Sequence, residues 1–139
     1  MSNKPRIVID SNVWLSGLIF GGSPGSILKL FSDGDVTVVV SEELLSELRR
    51  KIIEKFPLFI PQLSLLEASI RADESLVALG AVTVKVCRDL EDDKFLETAL
   101  IGGCGYIVSG DKDLLALKTY ESIRIVTPSD FLKAEEVVR

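Results

Sequence analysis

The chain has 139 residues, of which 47% are hydrophobic and 27% charged, with a formal net charge of -5 at pH 7. This length and mixture suit one compact domain with a buried core, so residues 1–139 are predicted to form a single domain. The acidic balance argues against a domain that binds nucleic acid through its overall charge, although it leaves room for a local basic face. No histidine is present, which excludes Ser-His and Cys-His hydrolases and nearly all zinc enzyme motifs.

The sequence shows neither a GxxxxGK[ST] loop nor the apolar stretch of a signal peptide. No apolar run reaches the length that crosses a membrane. We therefore expect a soluble cytoplasmic protein.

Hydrophobic patterning in the first half of the chain predicts strands that alternate with helices. The predicted strands cover residues 7–9 and 36–40, which are rich in β-branched side chains. Ser23 followed by Pro24 is typical of a helix start, and Ser41 is a predicted cap for an amphipathic helix. The predicted helices cover residues 13–20, 23–33, 42–56 and 62–79.

The second half continues the alternation. Residues 82–86 alternate between valine and polar side chains, which predicts a strand exposed on one side. Further strands are predicted at 106–108 and 123–126, with helices at 95–100 and after Thr127 and Pro128. Strands separated by helices pair in parallel through crossover connections, and no Asn-Gly or Asp-Gly hairpin signal is present. The predicted fold is a three-layer α/β/α sandwich around a four- or five-stranded, mostly parallel sheet.

Acidic side chains follow four of the predicted strands. Ligands of open parallel sheets bind outside the carboxyl ends of the strands. Asp10 ends the first strand, Glu47 lies about two turns into the helix after the second, and Asp92 precedes the helix after the third. Two more acids follow the fourth strand. The five acids are Asp10, Glu47, Asp92, Asp111 and Asp113.

Asp92 carries the strongest argument of the five because it begins an apolar stripe. Helical spacing places it on the same face as Phe95 and Ala99, where an acid is costly unless it is paired or binds a metal. The alternative is a first-turn acid that the helix dipole favours. Asp93 is predicted to point elsewhere, into solvent.

The other four acids each have a structural alternative. Asp10 can simply cap the following helix, and Glu47 can pair with Lys51 one turn later. Asp111 and Asp113 also fit a capped turn. Their coincidence at one edge favours a shared site, with Asp111 the more direct ligand and Asp113 a supporting one.

Carboxylates without histidine or cysteine select a hard cation, Mg²⁺ or Mn²⁺. One such ion can polarise a phosphate, and two ions roughly 4 Å apart can activate water and stabilise a leaving oxygen. The residues alone do not decide between one ion and two. The predicted metal ligands are Asp10, Asp92, Asp111 and Asp113. The predicted catalytic acids are Asp10, Glu47, Asp92 and Asp111.

Polar and basic residues adjoin these acids. Asn12 and Ser109 are candidate supporting residues that orient water or a ligand carboxylate. Arg49, Arg50 and Lys51 follow Glu47 along its helix and are candidate contacts for an RNA backbone. The alternative for each of the three is an ordinary solvated helix face.

The sequence resembles a PIN domain over nearly its whole length, most of all the toxin-type PIN proteins of prokaryotes, relatives of the VapC ribonucleases. The resemblance rests on IVIDSN, SEELLSEL, DLEDDKFLETA and YIVSGDKDLL followed by IRIVTPSDF. It implies an endoribonuclease that depends on Mg²⁺ or Mn²⁺, that acts on RNA as a homodimer, and that an antitoxin protein inhibits. The family pattern has threonine where this chain has Ser11 and proline where it has Leu90, and neither position is a ligand.

Two other classes of function stay open on the residues alone. The first is a non-catalytic module that binds metal weakly and acts through a partner. The second is a phosphotransfer domain, either a phosphatase of the haloacid dehalogenase type, which needs an acid where this chain has Asn12, or a receiver, which needs a lysine where Thr127 and Pro128 stand.

Overall fold

A five-stranded sheet forms the centre of the fold. The computed structural model describes residues 4–72 and 76–138, with side chains in the last helix up to Glu135. Numbered in chain order, the strands of this sheet lie in the spatial order β2 (Thr37–Val38), β1 (Arg6–Ile9), β5 (Tyr106–Val108), β7 (Ile123–Val126) and β6 (Thr119–Tyr120). All neighbours pair in parallel except β6 with β7, which pair antiparallel.

Helices cover both faces of this sheet and give the predicted three-layer α/β/α sandwich. The burial of Ile7, Val8 and Ile9 shows this directly, because consecutive strand residues point to opposite faces and all three are at most 2% exposed. The helices are α1 (Ser11–Ile19), α2 (Gly22–Ser32), α3 (Glu42–Lys55), α4 (Ile60–Ala72), α5 (Leu90–Ile101), α6 (Lys112–Leu117) and α7 (Pro128–Val138), with a 3-10 turn at Pro57–Phe59. In the described ranges no helix is long and apolar enough to cross a membrane.

The strand predicted at residues 36–40 is two strands. Residues Thr37–Val38 pair with β1, whereas Val40–Ser41 form β3 and pair in parallel with β4 (Leu76–Val77) in a separate two-stranded sheet. The backbone N–H of Val39 still donates to Ile7 O at 2.8 Å. The chain therefore leaves the central sheet immediately after Val39.

The prediction of a strand at residues 82–86 is wrong. Its backbone N–H groups bind carboxylates of α5: Val84 N lies 3.1 Å from Glu97 Oε1, and Val86 N lies 3.1 Å from Asp93 Oδ1. Only Val84 of the three alternating valines is buried. Carboxylates of α5, and not a neighbouring strand, therefore accept the hydrogen bonds of these backbone N–H groups.

Several predicted helix limits also differ, and the helix predicted at residues 95–100 already begins at Leu90. The helix predicted to reach residue 79 ends at Ala72, and Leu76–Val77 are already strand β4; residues 73–75 of that prediction lie outside the described part of the chain. Helix α2 begins at Gly22, before Ser23, and its cap position is Gly21. Gly21 and Gly22 have φ of 80° and 65°, a conformation that glycine adopts without strain and that sets the sharp turn from α1 into α2.

Candidate metal and nuclease site

Asp10 joins the end of β1 to the start of α1. Its side chain is 5% exposed, and its Oδ1 accepts the backbone N–H groups of Asn12 at 2.8 Å and Val13 at 3.1 Å. Both carboxylate oxygens of Asp10 accept hydrogen bonds, since Oδ2 accepts a short one from Ser109 Oγ. Asp10 is thus the cap of α1 and at the same time a carboxylate at the edge of the sheet.

Ser109 links the ends of the two central strands. Its hydroxyl is fully buried, donates to Asp10 beyond β1, and accepts the backbone N–H of Asp111 at 2.9 Å beyond β5. The pairing of β1 with β5 brings the two strand ends side by side. One hydroxyl therefore fixes the position of Asp10 relative to the Asp111 turn.

The Asp111 turn starts α6 in the same way that Asp10 starts α1. Asp111 Oδ1 accepts the backbone N–H groups of Asp113 at 2.8 Å and Leu114 at 3.1 Å. Asp111 and Asp113 are both exposed. The first turn of α6 thus presents two carboxylates to solvent at the edge where β5 ends.

Asp92 lies in the first turn of α5 and is partly buried. Burial, and then the negative charges of Asp111, Asp89, Asp10 and Asp113 in that order, raise the pKa of this carboxyl from 3.8 to about 6. Crowded carboxylates disfavour one another's ionisation when no cation is present. The raised pKa therefore reflects the burial of Asp92 first and the nearby aspartates second.

Three of the predicted metal ligands come together most closely. Asp92, Asp111 and Asp113 each offer a carboxylate oxygen, and these oxygens lie within 4.8 Å of one another. Oxygen ligands alone, with no histidine or thiolate among them, are the donors that Mg²⁺ and Mn²⁺ prefer. The donor set therefore fits a hard divalent cation.

Glu47 lies on the neighbouring helix α3, apart from that group. Its Oε1 is 3.8 Å from Lys51 Nζ, one turn later. Lys51 also donates to Ser11 Oγ at 2.8 Å and to Asn12 Oδ1 at 3.3 Å. The ion pair that was the alternative for Glu47 is therefore present, and through Lys51 it contacts the start of α1.

The three basic candidates have different surroundings. Arg49 makes two hydrogen bonds of 2.9 Å to Glu67, which join α3 to α4, and this partner raises the pKa of the guanidinium. Arg50 is exposed. It lines a groove of about 470 Å³ beside Glu47, whose lining residues are Glu43, Ser46, Glu47, Arg50, Glu91 and Lys94. Two larger grooves, of about 560 and 590 Å³, are lined by none of the five candidate acids.

Sequence reasoning missed the role of Asp93. Instead of pointing into solvent it is 3% exposed, and its Oδ1 accepts the N–H groups of Val86 and Cys87 at 3.1 and 2.8 Å. Burial alone would raise the pKa of this carboxyl, but the hydrogen bonds from Cys87 and Val86 lower it. The helix α5 begins at Leu90, with Asp89 as its cap. Asp93 and Glu97 are four residues apart in this helix and therefore share one face, and both accept hydrogen bonds from the preceding segment.

Comparison with known proteins agrees with this architecture. The PIN domain family matches residues 6–113, a range that holds all five candidate acids. PIN domains are a nuclease-type fold, and they typically use divalent metal ions. No curated protein matches the chain. Because the family match spans well over half of its length, the chain belongs to the PIN domain family.

Proposed function

We propose that this PIN domain is an endoribonuclease that hydrolyses phosphodiester bonds of RNA and depends on Mg²⁺ or Mn²⁺. The observation that carries the proposal is the convergence of Asp92, Asp111 and Asp113 at the edge of the sheet. These acids come from the starts of two different helices, and burial, followed by the charges of neighbouring aspartates, raises the pKa of Asp92. Capping of α6 by Asp111 and the first-turn positions of Asp92 and Asp113 favour each helix separately. They do not account for the convergence of three carboxylates from two helices, whose mutual repulsion a bound cation would relieve.

The proposed metal ligands are Asp10, Asp92, Asp111 and Asp113. When bound, the cation would lower the pKa of a coordinated water and polarise the phosphate. Ser109 holds the Asp10 carboxylate in place, and its hydrogen bond to the Asp111 backbone fixes the turn. Preorganised ligands of this kind do not need to be ordered when the ion binds.

RNA is proposed to approach from the α3 side. Arg50 and Lys94 line the groove beside Glu47, and a phosphate backbone follows positive side chains of this kind. Asn12 is exposed at the start of α1 and can donate its amide N–H groups to a phosphate oxygen. Since Arg49 already binds Glu67, we assign RNA contact to Arg50 and Lys51.

The test is cleavage of unstructured RNA in Mn²⁺ by the wild-type protein and by the Asp10→Asn and Asp92→Asn variants. Asp33→Asn is the matched control, since Asp33 is an exposed cap residue at the far end of α2. We expect the wild type and Asp33→Asn to cleave and the other two to lose at least about a hundredfold in rate. Equal cleavage by all four proteins would refute the assignment. No cleavage by any of them, with a partner bound equally well by Asp92→Asn, would favour a non-catalytic module.

We further propose a toxin role and a homodimer, on the strength of the resemblance to toxin-type PIN proteins. The apolar side chains of Phe20, Leu58 and Leu65 are 72% to 87% exposed and are candidate contacts for a second copy or an antitoxin. Expression should arrest growth for the wild type but not for Asp92→Asn. Co-expression of an adjacent antitoxin gene should relieve the arrest, and its failure to bind would refute the toxin role.

A further inference from the structure

Lys51 reaches from α3 into the edge of the sheet. Its Nζ lies 2.8 Å from Ser11 Oγ, 3.3 Å from Asn12 Oδ1 and 3.8 Å from Glu47 Oε1. Only 22% of the side chain is exposed. An ammonium group has three donors, of which two make the hydrogen bonds to Ser11 and Asn12, while Glu47 lies at an ion-pair distance. Lys51 is therefore held in one place and is not a freely moving surface lysine.

This place is electrostatically unusual for a cation. Ser11 and Asn12 form the first turn of α1, and the N-terminal end of a helix carries a partial positive charge that repels an ammonium group. The attraction that offsets this repulsion comes from the carboxylate of Glu47 and from the oxygens of Ser11 and Asn12 that accept its hydrogen bonds. Glu47 and the start of α1 therefore fix the place of the ammonium group.

Glu47, in turn, stands apart from the carboxylates that converge on Asp92. The group of close oxygens among the described residues contains Asp92, Asp111 and Asp113 but not Glu47. The charges that raise the pKa of Asp92 belong to four other aspartates. In the described part of the chain, Asp92, Asp111 and Asp113 are in no recorded ion pair, whereas Glu47 already holds the ammonium group of Lys51.

We propose that the Lys51 ammonium group supplies the second positive charge of this site, so that the protein binds one divalent cation and Glu47 holds Lys51 in position. The inference rests on the proposed function, because the charge it supplies acts on the phosphate of the bound RNA. A compact ammonium group binds a phosphate oxygen as a point charge. Glu47 is then a positioning residue, and Lys51 contacts the substrate.

The first test counts bound metal without any RNA. Mn²⁺ is titrated into the wild type and the Lys51→Met, Lys51→Arg and Lys55→Met variants, by calorimetry and by electron paramagnetic resonance. Lys55 is the matched control, because it is exposed on the same helix one turn later and its loss changes the net charge equally. We expect one Mn²⁺ per chain in the wild type, Lys51→Arg and Lys55→Met. We expect two in Lys51→Met, and one again in Lys51→Met combined with Glu47→Gln.

A second variant keeps the test decisive if Lys51→Met does not fold. Glu47→Gln in the wild-type background should still bind one Mn²⁺ with a Kd within about threefold of the wild type, because Glu47 is not a metal ligand in the proposal. Zero or two ions in the wild type, one ion in folded Lys51→Met, or a Kd more than tenfold weaker in Glu47→Gln would each overturn the inference.

The RNA contact is measured in EDTA, where no cleavage occurs. Lys51→Met should bind single-stranded RNA about tenfold more weakly than Lys55→Met, as expected for one lost hydrogen bond to a charged group. The slope of log affinity against log salt should also be shallower by about 0.7, which is the contribution of one phosphate contact on a single strand. Equal affinities and slopes for the two variants would overturn the contact.

These measurements separate the inference from the proposed function. If the wild type binds one Mn²⁺, Lys51→Met binds two and neither cleaves RNA, the charge arrangement stands and the ribonuclease assignment fails. If the wild type cleaves RNA while Lys51→Met keeps one ion, the assignment stands and the inference fails.

Discussion

Asp92→Asn should make the metal-free protein more stable at neutral pH. The pKa of Asp92 is raised from 3.8 to about 6, so the folded chain holds this proton more tightly than the unfolded chain. The charged carboxylate consequently destabilises the fold, fully so above pH 6, and the penalty disappears as the pH falls towards 3.8. Asparagine has a similar shape and no charge, and it removes the penalty.

The magnitude follows from the size of the shift. About two pKa units correspond to roughly 3 kcal/mol, and solvent screening of this partly exposed group reduces that to about 1–2 kcal/mol. For a chain of this length we expect a rise in Tm of about 3–8 °C. The assay is thermal unfolding of the wild type and the variant in EDTA at pH 7.5 and pH 4.5.

Two comparisons make this prediction specific. Asp93→Asn, at the adjacent position, should destabilise at pH 7.5, because the lowered pKa of Asp93 means that its charged form stabilises the fold. That stabilisation is lost as the pH falls. In Mn²⁺ the wild type should become more stable than Asp92→Asn, since only the wild type gains stability by binding the ion. An Asp92→Asn variant no more stable than the wild type in EDTA at pH 7.5, or equally stabilised at both pH values, would refute the reasoning.

Five further substitutions test three other sets of contacts. Ser109→Ala should cost about 1–3 kcal/mol in urea unfolding, because it leaves buried hydrogen-bonding groups without a partner, and should weaken Mn²⁺ binding; an unchanged Mn²⁺ Kd would contradict the linking role. Arg49→Gln should lower the free energy of unfolding by up to about 1 kcal/mol without changing RNA affinity. Arg50→Gln should weaken RNA binding without changing stability, and filter binding distinguishes the two variants. Gly102→Ala should destabilise by about 1–3 kcal/mol, because its Cβ would lie 2.5 Å from a buried valine methyl. Gly105→Ala, with open space around it, should have little effect, and equal Tm values for the two alanine variants would argue against this packing.

The strand ends of this protein were predictable from sequence because the central strands are continuous apolar runs. Burial on both faces leaves no alternation, so the ends of β1 and β5 are marked by the first polar residues, Asp10 and Ser109. A parallel sheet then places both ends at one edge. That reasoning locates the candidate acids without any knowledge of their contacts.

Contacts made by side chains to distant backbone could not be predicted in this way. The alternation at residues 82–86 records which side chains face inward, but not that Asp93 and Glu97, later in the chain, take the place of a neighbouring strand. The hairpin between β6 and β7 was also missed. Its turn contains Glu121 at φ of 54°, where a sequence signal would require glycine or asparagine.

The double use of the strand-end aspartates has an evolutionary consequence. Asp10 and Asp111 both start a helix through Oδ1, and asparagine caps a helix as well as aspartate does. One base change converts an aspartate codon into an asparagine codon. A descendant of this protein can therefore lose the charge that a metal needs while keeping its helices, its sheet and its surface. Under the proposed function, a folded copy without metal or activity is one mutation away.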